Sequence, residues 1–248
     1  MADLVLRIGA ISNQGLRSNN EDRLLVDLPR GLFVVADGMG GQDSGEVASG
    51  LAVEIIPKAV EKGLSANQPA DQALVNALAE ANKVIIDAGI SQPAGRRMGT
   101  TAVCALRQNG TVFVANMGDS RAYLIRAGQA EQLTNDHTVA AALVACGALT
   151  AEEALTSPFN NRLYKFLGST ESTDAAPEIK PLTPQPGDWL LLATDGLTNF
   201  VGKEELGAGP AQFPDPQAWA EHLVKSALAR GSRDNVTCIV VAFDAPAV

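Results

Sequence analysis

The stretch "GLFVVADGMGGQDSGEVASG", residues 31–50, decides how the chain is read. An apolar run from Leu32 to Ala36 gives out at Asp37, and glycines follow at 38, 40 and 41. From Ser44 onward, Val47, Ala48, Leu51, Ile55 and Ile56 recur at helical spacing. The run predicts a buried strand that ends on a carboxylate, and Ser44 supplies a capped start for the helix behind it.

The rest of the composition sets limits. With 248 residues, 46% of them hydrophobic, the chain can bury a sizeable core. Its 19 basic and 28 acidic residues leave a net charge of −9, which argues against a nucleic-acid backbone as partner. The start, "MADLVLRIGAISNQG", has no basic flank followed by a long apolar core. No later apolar run approaches the roughly 18 residues of a membrane span. A cytoplasmic protein without a membrane partner is expected. Cys104, Cys146 and Cys238 form no CxxC pair and are expected to be small buried hydrophobes. His137 and His222 are the only histidines, so a three-His zinc centre is excluded and any metal must be held mainly by oxygen.

Runs rich in Val, Leu, Ile and Phe predict strands at roughly 3–11, 22–28, 31–36, 101–107, 111–117, 120–126, 188–194 and 236–243. Two of these adjoin across "RQNG" and two across "MGDS", both read as hairpin turns. Helical spacing predicts helices at about 45–62, 70–90, 139–146, 151–155 and 216–230. The Pro-rich segment "STESTDAAPEIKPLTPQPGD" is expected to cross the surface of one domain rather than to join two. Grouped strands and grouped helices point to an α+β fold in which antiparallel sheets are covered by helices.

Asp37-Gly38 has a twin in "DWLLLATDGLTN", where an apolar strand ends within two residues of Asp195-Gly196. Asp119 sits in the turn of "FVANMGDSRAYLI", and Asp234 immediately precedes the strand in "GSRDNVTCIVVAF". The end of one antiparallel strand lies beside the start of the next, so Asp37, Asp195 and Asp234 can share one rim. Asp-Gly is a common turn, and any one of these sites reads first as a turn. Four together read differently. Converging carboxylates repel one another and resist desolvation unless cations sit between them. Oxygen-only ligation favours magnesium or manganese, and the glycine after Asp37 and after Asp195 lets a backbone carbonyl approach the ion.

Near the N-terminus, "NQGLRSNNEDRLLV" places Arg17 a few residues before Glu21 and Asp22. Arginine offers a planar fork that matches a phosphate, and the nearby acids can hold either the arginine or a metal. A hard-metal rim with an arginine fork describes phosphate-ester hydrolysis. Two metals would activate a bridging water for in-line attack and, with the arginine, offset charge on the phosphoryl oxygens. With so few histidines, no Ser-His-Asp or Cys-His nucleophile is available.

These residues resemble the metal-dependent type 2C serine/threonine protein phosphatases, especially the compact bacterial members. The stretches that carry the resemblance are "GLRSNNED" (15–22), "FVVADGMGG" (33–41), "GEVAS" (45–49), "MGTTAV" (98–103), "ANMGDSRAYL" (115–124), "LTNDHT" (133–138), "LLLATDGLTN" (190–199) and "SRDNVT" (232–237). They follow the family's order nearly end to end. The resemblance implies a central sandwich of two antiparallel β-sheets flanked by α-helices. It implies a single catalytic domain, 1–248, with a flap at about 139–170. It also implies two or three Mn2+ or Mg2+ ions at one edge. By similarity, Asp37 bridges two metals, the Gly38 carbonyl binds one, and Asp195 and Asp234 bind the other. Glu21 acts near the second metal with Asp22 behind it, Asp119 joins Asp195 at a weaker third site, and Asn235 supports the ligands. Arg17 holds the substrate phosphate.

Met39 stands where eukaryotic relatives have a histidine proposed to protonate the leaving group. The flap stretch "SPFNNRLYKFLG" departs from the usual pattern at Asn160, Asn161 and Tyr164. Asp136 and His137 match a family motif and are expected to cap the flap helix. The implied activity is hydrolysis of phospho-Ser/Thr in proteins by a metal-bridging hydroxide, opposing a cognate bacterial-type Ser/Thr kinase, with the chain acting as a monomer. A catalytically silent binding relative and a small-molecule phosphohydrolase are the rival readings.

Overall fold

The computed structural model describes residues 4–40, 44–90, 98–170 and 176–246; Asp3, where the first strand was expected to begin, and Gly41 lie outside these ranges. The chain runs β1 (Val5–Asn13), β2 (Asp22–Asp27), β3 (Leu32–Met39), α1 (Ser44–Ser65), α2 (Ala70–Ile90), β4 (Gly99–Thr100), β5 (Ala102–Gln108), β6 (Thr111–Met117), β7 (Arg121–Arg126) and β8 (Gln129–Gln132). It continues through α3 (Val139–Ala145), α4 (Ala151–Leu155), β9 (Glu178–Leu182), β10 (Trp189–Ala193), α5 (Asp195–Thr198), α6 (Lys203–Gln212), α7 (Pro216–Ala229) and β11 (Val236–Asp244). No described helix is long and apolar enough to cross a membrane.

Two antiparallel sheets, β1-β11-β10-β7-β8 and β2-β3-β5-β6-β9, pack face to face, and β4 pairs with β3. Alternation along each strand divides its side chains between two cores. On β3, Phe33 and Val35 join Val103, Leu190, Leu192, Ile239 and Val241 between the sheets. Leu32, Val34 and Ala36 instead meet Ile56, Leu74, Leu78 and Ile85 of α1 and α2. On the opposite face of the sandwich, Leu191, Val240 and Ala242 pack against Leu206, Trp219 and Leu223 of α6 and α7. Both faces of the central strands are thus buried, which is why they read as continuous apolar runs rather than as alternating ones. The fold is the expected helix-flanked double-sheet sandwich.

"RQNG" closes the β5–β6 hairpin, with Asn109 and Gly110 at φ 51° and 80°, the two positive values that a two-residue turn of matching twist requires. "MGDS" is not a hairpin. β6 and β7 belong to different sheets, and Gly118, at φ 110°, carries the chain from one layer to the other. The Pro-rich segment includes β9, paired with β6 at the sheet edge. Pro181 is tolerated there because an edge strand can lack one ladder donor. Neither α5 nor α6 was anticipated; α6 holds Gly207, Gly209 and Pro210, which mask any helical period. Its glycines permit contact, since a Cβ on Gly209 would stand 2.2 Å from the Trp219 ring. Cys104 and Cys238 are buried as expected, whereas Cys146 follows α3 directly and is exposed, because the helix turns that end to solvent.

The β1–α7 seam depends on a similar approach. A Cβ on Gly9 would lie 2.2 Å from the Pro216 carbonyl oxygen, while the Gln217 side chain accepts from Ala10 N at 2.9 Å. Gly9→Ala is expected to destabilise the protein by roughly 1–3 kcal/mol in urea unfolding, because two backbones must separate. An unchanged midpoint would show that the seam yields freely.

Candidate active site

At one end of the sandwich the apolar layers give way to acids. Residues 33, 35 and 37 share one face of β3, so Asp37 continues the inter-sheet row into a cleft of about 700 Å³. Glu21, Gly38, Asp119, Asp195 and Asp234 line the same cleft, as do Arg17 and Asn235. Asp22 does not. It pairs across the β2–β3 ladder with Asp37 and lies buried beneath the cleft at 2% exposure.

The backbone fixes each position. Asp37 N donates to Thr101 Oγ1 at 3.0 Å, and Asp37 O accepts from Thr101 N at 2.9 Å. Thr101 Oγ1 also lies 2.6 Å from Ser120 Oγ, which joins Asp37 to the turn carrying Asp119. Gly38 allows a crossing that no side chain would, because a Cβ there would meet Gly45 O at 2.2 Å and Glu21 O at 2.6 Å. Asp195 opens α5. Beside it, a Cβ on Gly196 would lie 2.0 Å from Asn235 O.

Asn235 is the fastener. Its Oδ1 accepts from Glu21 N at 2.8 Å, and its Nδ2 donates to Gln14 O at 2.7 Å and Asn19 O at 2.9 Å. The loop bearing Arg17 and Glu21 is thereby tied to the start of β11. Arg17 is exposed, and its Nη2 lies 2.7 Å from Asp234 Oδ2. The guanidinium thus meets Asp234 rather than the acids close to it in sequence.

Burial and mutual repulsion act on these acids together. Asp37 is held well above the ordinary carboxylate range, first by burial and then by the charges of Asp22, Asp195, Asp119 and Asp234. Burial pushes Asp22 up to about 7, against hydrogen bonds from Thr237 and Thr194. It likewise takes Asp119 to about 7, with Asp195 and Asp136 adding to the effect. Asp195 is raised by burial and by Asp234. Thr194 Oγ1 donates to Asp22 Oδ2 at 3.0 Å, whereas Asp22 Oδ1 is buried with no hydrogen-bond partner among the described residues. A donor set of carboxylates and one accessible carbonyl suits a hard divalent cation. Among the described residues no three His, Cys, Asp or Glu side chains form a closed cage. The carboxylates ring the cleft, and Arg17 covers one of them.

Sequence reasoning passed over the supports. Arg121 grips Asp136 through Nε at 2.9 and 3.0 Å and through Nη2 at 2.6 Å, and its positive charge works against the upward shifts of Asp119 and Asp195. Asp136 and His137 do not cap the flap helix. Asp136 is taken by Arg121, and His137 Nδ1 accepts from Gly118 N at 3.0 Å. Thr138 caps α3 instead, accepting from Ala141 N at 3.1 Å. Arg121 and Asp136 lie within quoted motifs, but their pairing joins positions 15 residues apart and left no local signal.

A carboxyl raised in the folded state binds protons that the unfolded chain has released, so stability falls as pH rises from about 4 to about 7. For Asp22, the step from an ordinary 3.8 to about 7 is worth on the order of 4 kcal/mol, at about 1.4 kcal/mol per pH unit. Chelator-treated protein is therefore expected to lose stability across that window in denaturant titrations, and Asp22→Asn is expected to flatten the slope. A profile unchanged by the substitution would remove Asp22 as its source.

The model for protein phosphatase 2C matches residues 12–236. The serine/threonine phosphatase stp of Listeria monocytogenes is 32% identical over 94% of this chain and 89% of its own length. The crystal structure of the Mycobacterium tuberculosis serine/threonine phosphatase PstP/Ppp superposes with a TM-score of 0.84 at 33% identity, covering 98% of this chain and 100% of that one. The catalytic domain of PstP solved with two manganese ions gives 0.79 at 31% identity, covering 98% and 100%. With nearly its whole length matched in sequence and in fold, the chain belongs to the protein phosphatase 2C family.

Proposed function

We propose that this chain is a metal-dependent phosphatase that removes phosphate from phosphoserine and phosphothreonine in proteins. The observation that carries the reading is the meeting of Glu21, Asp37, Gly38, Asp119, Asp195 and Asp234 around one cleft, with Arg17 at its edge. Asp37 and the Gly38 carbonyl, with Glu21 nearby, and Asp195 with Asp234 would hold two Mn2+ or Mg2+ ions, and Asp119 with Asp195 would hold a third. Bound divalent ions supply an activated water and neutralise phosphoryl charge. Among the related proteins, PstP has been solved with two manganese ions.

The protein's own residues do the rest. Arg17, now paired with Asp234, would be the residue to orient a phosphate by paired, charge-assisted hydrogen bonds when metal is bound by that carboxylate. Thr101 holds Asp37 against the turn of Asp119, and Asn235 holds Glu21 and Arg17 on a common frame. Asp22 acts from beneath, paired across the ladder with Asp37 and held by the Thr194 hydroxyl. Met39 lines the cleft without an ionisable group, so the leaving-group proton comes from water or from another group of the cleft. The segment 139–170 serves as a flap of a single catalytic domain, since Asn161, Arg162, Leu163 and Phe166 reach the cleft from it. The protein would act on phosphoproteins as a monomer in the cytoplasm and oppose a Ser/Thr kinase.

Hydrolysis of a phosphothreonine peptide by the purified protein tests the reading. Turnover is expected with manganese or magnesium, to be abolished by chelator, and to fall at least roughly 100-fold in Asp37→Asn with the fold retained. Arg17→Ala is expected to lower kcat/KM by about 10- to 100-fold, the worth of a charge-assisted pair. Folded, metal-loaded protein that binds the peptide without turnover would favour the silent relative. A far higher kcat/KM on small esters would favour a small-molecule phosphohydrolase.

A further inference from the structure

A second groove, of about 780 Å³, runs beside the acidic cleft and shares Arg17, Asn161, Asp195 and Asp234 with it. A chain entering the cleft through a phosphorylated side chain must lay its flanking residues in an adjoining space, and this groove is the one that shares Arg17, Asp195 and Asp234 with the cleft. Three features fit it for polypeptide. Leu16, beside Arg17, and Leu155, on α4, are 76% and 75% exposed, and both line the groove. Phe200 adds a third apolar surface.

The charges of the groove are unequal in their commitments. Arg17 is paired with Asp234, and Arg121 with Asp136. Arg233, exposed at the groove wall immediately before Asp234, makes no hydrogen bond or ion pair among the described residues. The groove's two aspartates, Asp195 and Asp234, are committed to metal in the proposed function. What remains to meet a ligand is a free guanidinium in a groove that also presents exposed apolar side chains.

We propose that this groove beds the polypeptide flanking the phosphorylated residue, and that Arg233 selects substrates with an acidic side chain next to it. The inference rests on the phosphatase reading above. Arg233 forms a solvent-facing ion pair with the Asp or Glu, while Leu16 and Leu155 cover the neighbouring apolar groups. An exposed pair changes specificity modestly and weakens with salt. Its effect falls on peptide binding rather than on the reacting phosphate.

The test compares phosphothreonine peptides of one length carrying Glu, Ala or Lys at the positions on either side of the phosphoresidue. Each is turned over by manganese-loaded wild type, Arg233→Ala and Arg233→Glu, with p-nitrophenyl phosphate as an ester too small to reach the groove. Wild type is expected to prefer a Glu-flanked peptide over the Ala-flanked one about three- to fivefold in kcat/KM at low salt, mostly through KM. Arg233→Ala should erase the preference and Arg233→Glu should turn it toward Lys, with p-nitrophenyl phosphate turnover unchanged in both. Robust peptide turnover by wild type with no acidic preference, or the same preference in Arg233→Ala, would overturn the proposal. An equal loss on the small ester would make Arg233 a support of Asp234 and would also overturn it. No turnover of any peptide by wild type would instead defeat the phosphatase reading, and the groove assignment with it.

Discussion

Like charges held at the open end of a sandwich are the constraint around which this structure is arranged. Burial raises the proton affinity of Asp37, and the charges of Asp22, Asp195, Asp119 and Asp234 each raise it further. A flexible chain would let these groups drift apart. The strands prevent it, because each acid but Asp119 lies within two residues of an end of an element whose neighbouring residues are locked in a core. Asp119 is held by the crossover between the sheets, pinned through Ser120 to Thr101 and through Gly118 to His137.

Two kinds of support keep the cluster in place. One is hydroxyl and amide bonding beneath it: Thr194 bonds Asp22 and bridges to β11, and Asn235 fastens the loop of Arg17 and Glu21. The other is close backbone approach. Gly38 against Gly45, and Gly196 against Asn235, leave no room for a Cβ, so the segments bearing Asp37 and Asp195 meet their neighbours directly. Opposite charge is supplied sparingly. Arg121 is mostly buried, bound to Asp136, and favours the ionised forms of Asp119 and Asp195, while Arg17 stands in solvent at the rim. A buried arginine is a fixed part of the site, and an exposed one is free to exchange Asp234 for an incoming anion.

The apolar runs leading to Asp37 and to the residues just before Asp195 were legible because burial on both faces leaves an unbroken hydrophobic run, and a charged residue after it marks the edge of the core. Helices α1, α2 and α7 were legible from their apolar stripes. α6 was not, since its small residues serve contact with Gly128 and Trp219 and carry no period of their own. The role of "MGDS" could not be read either. A glycine turn between two strands looks alike whether the strands pair or part into separate sheets, and only the packing partners differ.

Local order along the chain therefore determined the elements, the acids at their ends and the family to which the motifs belong, because strand and helix patterns and Asp-Gly turns are written in adjacent residues. Tertiary structure alone decided which groups share an environment. Arg17 meets Asp234 from 217 positions away, and Thr194 meets Asp22 from 172. Asp136 is drawn to Arg121, leaving the helix cap to Thr138. Such pairings depend on distances through space and on the loss of water around each group, and neither is encoded in the spacing of residues along the chain.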